Sequence, residues 1–221
     1  MPTVLVTGAT GGIGSAVCAA FADEGATVVA GARDADALAA LEGPAETVVA
    51  DIREREAVAD LAATAAETGE AGIDVVVPCA AVYPGAAGET PLPEEPYDAF
   101  DDAVATNARG VFATVRESLP HMDAGGRVLV PTGRVADGLH EGYGAYAVSK
   151  AAAEAVARGF AADADPAVGL VDPGVVATDL TGGDGREPGE VADLFVWAAE
   201  RDHADLNGET VGLREWRKAT R

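Results

Sequence analysis

The chain has 221 residues, with 37 Asp or Glu against 15 Lys or Arg, giving a formal net charge of −22 at pH 7. That balance disfavours nucleic acid as a partner, since neutralising phosphates needs basic patches. Hydrophobic residues make up 48% of the chain, which excludes a disordered acidic tail and is enough for one sizeable core. Two isolated cysteines, Cys18 and Cys79, make no disulfide framework. His121, His140 and His203 show no ligand spacing, so no metal site is expected. No signal peptide or long apolar run is read, and a cytoplasmic protein without membrane contact is expected.

A surface this acidic repels itself at low salt, whereas molar salt screens it over roughly 3 Å. With Lys150 and Lys218 as its only lysines, it resembles the surface of salt-adapted cytoplasmic proteins. The one basic cluster, Arg214, Arg217, Lys218 and Arg221, is expected to pair with the acidic body or a neighbouring subunit.

In chain order, the apolar run from Val4 ends at Thr7 and glycines follow at 8, 11, 12 and 14. Ile13, Val17, Ala20 and Phe21 then fall at helix spacing, so a strand feeds a tight turn that opens a helix. Glycine permits positive φ and close backbone approach, and a helix N-terminus offers unpaired N–H groups to an anion. This context predicts a dinucleotide site. Gly25 stops the first helix. Strands are expected at 27–31, 46–50, 73–79, 127–131, 168–171 and 209–213. Helices are expected at 34–41, 54–68, 99–119, 146–162 and 189–199. A Pro- and Gly-rich loop, Tyr83 to Pro96, is the longest irregular stretch and a natural site rim. Short apolar strands alternating with helices argue a parallel, doubly wound sheet in one domain spanning 1–221.

Two further features carry chemistry. In Gly31-Ala32-Arg33-Asp34, an acid that would bind a ribose 2′-hydroxyl is missing and Arg33 stands nearby, suited to a 2′-phosphate. The alternative is a surface Arg33 paired with Asp34. Tyr146-Ala-Val-Ser-Lys150 puts a phenol and an ammonium on one helix face. A nearby ammonium favours phenolate, which is expected to lower the Tyr146 pKa and make it a usable acid–base.

Gly8-x-x-x-Gly12-x-Gly14 after Thr7, with Tyr146-x-x-x-Lys150 about 130 residues on, resembles the short-chain dehydrogenase/reductase family over nearly the whole chain. The resemblance implies an α/β single-domain Rossmann fold, a doubly wound parallel sheet of about seven strands in the order 3-2-1-4-5-6-7 with helices on both faces. It implies an NAD(P)-dependent oxidoreductase interconverting a ketone or aldehyde and an alcohol, with NADP(H) preferred over NAD(H) because of Arg33.

Carried over position by position, Gly8, Thr10, Gly11, Gly12, Ile13 and Gly14 would cradle the diphosphate, and Asp51 and Ile52 the adenine. Ala80 would lie beside the adenosine ribose. Pro173-Gly174-Val-Val176-Ala-Thr178 matches the family's Pro-Gly-x-Val-x-Thr, which implies that Val176 and Thr178 face the nicotinamide carboxamide and diphosphate. Lys150 would bind the nicotinamide ribose, and Asn107 would kink its helix and hold a water in the proton relay.

Two departures stand out. Pro78-Cys79-Ala80-Ala81 replaces Asn-Asn-Ala-Gly. The family serine, usually thirteen residues before the tyrosine, meets Gly133. Because the intervening loop varies in length, Thr132 is aligned with that serine. With Gly133 there instead, loss of one such donor typically costs 10²–10³ in rate.

The stretch from Asp179 to Pro188 is short, which implies a small open pocket. Val82, Tyr83, Leu139, Tyr143 and Leu180 would line it for a modest apolar carbonyl compound. A homodimer or homotetramer through the two long helices is implied. The alternative to an enzyme is a catalytically weak NADP-binding sensor or scaffold on the same fold. A sugar-nucleotide epimerase needs a substrate domain for which 221 residues leave no room.

Overall fold

In the computed structural model, residues 1–69, 71–138 and 140–220 are described. Leu139, expected to line the pocket, and Arg221 of the basic cluster lie outside them.

Strand β1 (Thr3–Thr7) leads to helix α1 (Gly12–Asp23), which Gly25 ends in the left-handed region at φ 80°. Then come β2 (Thr27–Ala32), α2 (Ala35–Ala39), β3 (Glu46–Val49), α3 (Arg55–Thr68) and β4 (Val75–Pro78). The loop beyond holds one short 3₁₀ turn at Leu92–Glu94. Helix α4 (Tyr97–Val104) passes through a π-turn (Ala105–Arg109) into α5 (Gly110–Ser118). Next are β5 (Arg127–Pro131), α6 (Gly144–Asp163), β6 (Ala167–Asp172), α7 (Gly189–Ala199), α8 (His203–Leu206), β7 (Thr210–Gly212) and α9 (Leu213–Ala219).

All seven strands form one parallel sheet in the order β3-β2-β1-β4-β5-β6-β7, the expected order. Parallel strands covered on both faces read as continuous apolar runs, because alternate side chains enter two different cores. Here Val4 and Val6 of β1, Val28 of β2 and Leu129 of β5 pack with Val17 and Phe21 of α1 and Leu194 and Phe195 of α7. Their neighbours Leu5, Val29, Val128 and Val130 face Leu61 of α3, Val111 and Val115 of α5, and Ala153 and Ala157 of α6.

The differences from expectation have local causes. The helix expected at 99–119 begins at Tyr97, directly after Pro96, and is broken by the π-turn around Asn107. The last strand stops at Gly212 because Leu213 and Trp216, three apart, fold back onto the first core as one side of α9. Arg214, Arg217 and Lys218 of the basic cluster therefore belong to this helix. No helix among the described residues is long and apolar enough to cross a membrane.

Six ion pairs occur among the described residues, which leaves most of the 37 acids without a cationic partner. The uncompensated repulsion is screened as the Debye length shrinks. The urea midpoint of unfolding at pH 7 is therefore expected to rise between about 0.1 M and about 2 M KCl; an unchanged midpoint contradicts the charge argument.

Candidate active site

The first turn is built by close approach. Gly8 has φ 65°, and a Cβ there would lie 2.5 Å from the Ala80 backbone; a Cβ on Gly12 would lie 2.7 Å from Thr178 Cγ2. Two missing side chains thus bring the β1 turn, the segment after β4 and the loop after β6 together at the start of α1. Helix α1 has no side-chain cap and no acid in its first turn, so its N–H groups and positive dipole end stay available to an anion. At this point, where the order reverses between β1 and β4, a cleft of about 660 Å³ opens at the carboxyl ends of the strands.

Of the residues expected to hold a cofactor, Gly8, Thr10, Gly11, Gly12, Ile13, Gly14, Arg33, Asp51, Ile52, Ala80 and Thr178 line the cleft. Pro173, Gly174, Val176 and Lys150 are not part of its lining, and Pro173 and Val176 are buried. Arg33 is exposed and makes no ion pair among the described residues. Asp34 is not its partner: that carboxylate accepts the Asp36 and Ala37 N–H groups, both at 3.0 Å, as the cap of α2. Hydrogen bonds from Arg53 hold the Asp51 carboxyl below the usual range, with a smaller contribution from the charge on Arg33. Arg53 also reaches Asp102 at 2.6 Å and so ties the segment after β3 to α4. The residues present fit a dinucleotide.

Helix α6 carries the second group. Its Ala145 N–H donates to Glu95 Oε2 at 2.9 Å, a cap from the loop side that the sequence reading missed. The Tyr146 ring stacks on Tyr83 at 4.5 Å between centroids, and the Tyr83 hydroxyl meets Thr90 Oγ1 and the Gly142 carbonyl at 3.1 Å each. Three of the four tyrosines therefore cluster here, Tyr143 being 6.1 Å from Tyr83.

Burial, then Tyr83 and Tyr143, push the Tyr146 phenol up to about 12. The expected lowering by Lys150 is thus reversed: that ammonium donates to the Pro131 carbonyl at 2.8 Å. Lys150 is itself pushed down to about 8 by burial, with Cys79 and Glu154 opposing the drop. Asn107 lies in the π-turn with its amide closed around Val82: Oδ1 accepts the Val82 N–H at 2.7 Å, and Nδ2 donates to the Val82 carbonyl at 2.8 Å and to Ser149 Oγ at 2.9 Å. Since Val82 lines the cleft, Asn107 joins α6 to it.

Thr132 departs from expectation. Its hydroxyl donates to the buried Glu154 Oε1 at 2.6 Å, not into the cleft. Alternation along β5 explains this, for Val128 and Val130 face the core that α6 covers, and Thr132 shares their side. Gly133, next along, has extended backbone (φ −175°, ψ 169°), and a Cβ there would meet nothing within 4 Å.

Residues 2–188 match the family model for short chain dehydrogenases. The chain belongs to the short-chain dehydrogenase family. It is 30% identical over 228 residues to the cyclic-di-GMP-binding biofilm dispersal mediator protein of Escherichia coli, covering 93% of this chain and 92% of that protein. It is 35% identical over 86 residues to the chloroplastic NADPH-dependent aldehyde reductase 2 of Arabidopsis thaliana, where it covers 37% of this chain and spans only 32% of the relative. An alcohol dehydrogenase from the archaeon Thermococcus sibiricus, solved with 5-hydroxy-NADP, superposes with a TM-score of 0.82 at 26% identity over 96% of each chain.

As a short-chain dehydrogenase, the protein is an oxidoreductase that uses a nicotinamide cofactor. Its two departures from the family pattern both leave structural marks. With Pro78 ending β4 and Cys79 next, Thr7 Oγ1, whose residue is paired in register with Pro78, is buried without a partner among the described residues. The residue thirteen before Tyr146 is the open Gly133. Two further polar residues carried no motif and were missed: Thr106, which lines the cleft with its Oγ1 buried and unpartnered, and Glu154, whose only signal was its place one turn beyond Lys150.

Lys150 has a cost for stability whose sign follows from its titration. Below pH 8 it is charged in both states, and only the folded one excludes water from it. As pH rises from 8 toward the ordinary 10.5 the penalty fades. At 1.36 kcal/mol per unit the penalty at neutral pH is about 3 kcal/mol. Lys150→Met is accordingly expected to melt higher than the wild type at pH 7, with the difference lost above about pH 10; equal melting temperatures at both pH values contradict this account.

Proposed function

We propose that this single-domain protein is an NADP(H)-dependent reductase that interconverts a small ketone or aldehyde and the corresponding alcohol. The observation that carries the reading is Asn107, which links the Tyr146–Lys150 face of α6, through Ser149, to Val82 on the cleft wall. The cofactor supplies the hydride or accepts it. In this reading the Gly8–Gly14 turn and Thr178 hold the diphosphate, Asp51 and Ile52 the adenine, and Arg33 the 2′-phosphate. Pro173, Gly174 and Val176 shape the loop at the nicotinamide end. Lys150 donates to the nicotinamide ribose, for which its Nζ leaves the Pro131 carbonyl.

Tyr146 gives the proton to the substrate oxygen. A phenol titrating at about 12 keeps its proton throughout the neutral range, which suits the reductive direction. Stacking on Tyr83 fixes the ring plane, and Val82, Tyr83, Tyr143 and Leu180 bound a small, largely apolar space. Phe112 on α5 and Val148 on α6, each 38% exposed, fit a homodimer or homotetramer formed through those two helices.

Gly133 favours a second reading. If nothing replaces the family hydroxyl, the chain binds the dinucleotide and turns over slowly, as a sensor or scaffold would. The E. coli relative, named for binding a different nucleotide, belongs to the same comparison.

Oxidation of NADPH with a panel of small ketones and diketones in molar salt separates the two. Turnover is expected in the wild type and absent in Tyr146→Phe. Gly133→Ser, for which there is space, is expected to raise kcat about 10²-fold. Cofactor binding without turnover in the wild type, and none gained in Gly133→Ser, supports the sensor. Arg33→Ala is expected to weaken NADPH binding at least tenfold while leaving NADH binding unchanged, as for loss of a bidentate phosphate contact; equal effects on both sink the NADP(H) preference.

A further inference from the structure

The reaction leaves one buried acid unused. Glu154 lies on α6 one turn beyond Lys150 and is only 8% exposed, in a protein whose acids otherwise sit almost wholly at the surface. Both its oxygens are engaged. Oε1 accepts from Thr132 at 2.6 Å, and Oε2 accepts from Arg158 at 2.7 Å, one turn further on. Lys150, 9% exposed, donates to the carbonyl of Pro131, the residue next to Thr132. Two consecutive residues at the end of β5 are therefore bonded to two side chains one turn apart on α6, one cationic and one anionic.

We propose that Glu154 is the counter-charge that keeps Lys150 an ammonium inside the fold and, through Thr132, holds the strand end on which that ammonium rests. A buried ammonium without an anion nearby sheds its proton, because low dielectric penalises the charged form. No carboxylate lies within ion-pair distance of Lys150 among the described residues, so the compensation acts through space from the next turn.

Of the groups around Lys150, Cys79 and Glu154 oppose the effect of burial, and Tyr146 is neutral throughout the neutral range. Charges on other elements packed against α6 are engaged elsewhere: Glu95 with the Ala145 N–H, Asp102 with Arg53, Glu117 with Arg55, Arg109 with the Arg53 carbonyl, Arg127 with the Arg201 carbonyl, and Asp172 with the Gly174 N–H. Glu94, Asp98, Asp101, Arg116 and Arg134 are exposed to solvent. Burial pushes the Cys79 thiol far up, so it carries no charge in the neutral range, and the carboxylate of Glu154 is left as the buried anion on which the charge of Lys150 depends. Arg158, 55% exposed, caps the outer oxygen and spares Glu154 the full cost of an isolated buried charge.

Glu154 is a positioning residue. Its consequence for ribose binding rests on the role proposed for Lys150, but its test needs no cofactor, so either reading can fail without the other. The chain has two lysines, which makes a direct titration possible. With lysine labelled at Cε and observed by NMR in the ligand-free protein, Lys218 on the exposed α9 serves as internal reference. The wild-type Lys150 signal is expected to titrate at about 8.

In Glu154→Gln, which keeps an acceptor for Thr132 and removes the charge, the Lys150 midpoint is expected to move to lower pH while Lys218 stays. In Thr132→Val, which keeps the charge and removes the clamp, the melting temperature should fall with the Lys150 midpoint in place. An unmoved midpoint in Glu154→Gln overturns the proposal, as does an equal shift in Thr132→Val. A wild-type Lys150 already uncharged at pH 7 overturns it without recourse to any variant.

Discussion

The constraint on which the site depends is the contact made possible by two absent side chains. Gly8 lets the backbone after β1 touch the backbone at Ala80, and Gly12 lets the start of α1 touch Thr178. These are contacts between segments far apart in the chain, and they fix where the ends of β1, β4 and β6 stand relative to one another. The cleft lies over that junction because the parallel sheet reverses its order there. An uncapped, acid-free helix start facing the cleft completes a site for an anion in a molecule whose surface is otherwise strongly negative.

Helix α6 forms the other half. Tyr146, Lys150, Glu154 and Arg158 follow one another at four-residue spacing, so one face of the helix carries a phenol, an ammonium, a carboxylate and a guanidinium in a row. Burial drives the first two in opposite directions, the phenol up to about 12 and the ammonium down to about 8. Both shifts favour the neutral form, as exclusion of water must. What distinguishes the two is their company: tyrosines surround Tyr146, whereas Lys150 has an anion one turn away. The ends of the row are tied to different parts of the fold, the start by Glu95 and the far side by Thr132.

Much of this was legible in the sequence because it is local. Apolar runs and their spacing located all seven strands, and the glycine spacing, Tyr146 and Lys150 pointed to the family. The expected boundaries of β5 and α7 coincide with those observed, Gly126 standing directly before the strand and Pro188 directly before the helix. Errors fell where a distant partner decides. The π-turn at Asn107 goes with the bonds between that amide and Val82, twenty-five residues away in the chain. Helix α9 forms because Leu213 and Trp216 find the first core, which their polar neighbours conceal.

By itself, the sequence determined the sheet, the glycine turn and the common helix face of Tyr146 and Lys150, since strand period, glycine spacing and helix pitch act over a few residues. Which way a side chain turns at the end of a strand was decided only by tertiary structure. Thr132 and Gly133 are adjacent, and which of them stands where the family serine would be was left open by spacing across a loop of variable length. Packing of β5 against α6 turned Thr132 toward Glu154 and left Gly133 facing open space. The direction of the Tyr146 shift was decided in the same way, by what surrounds the ring and not by the lysine four residues on.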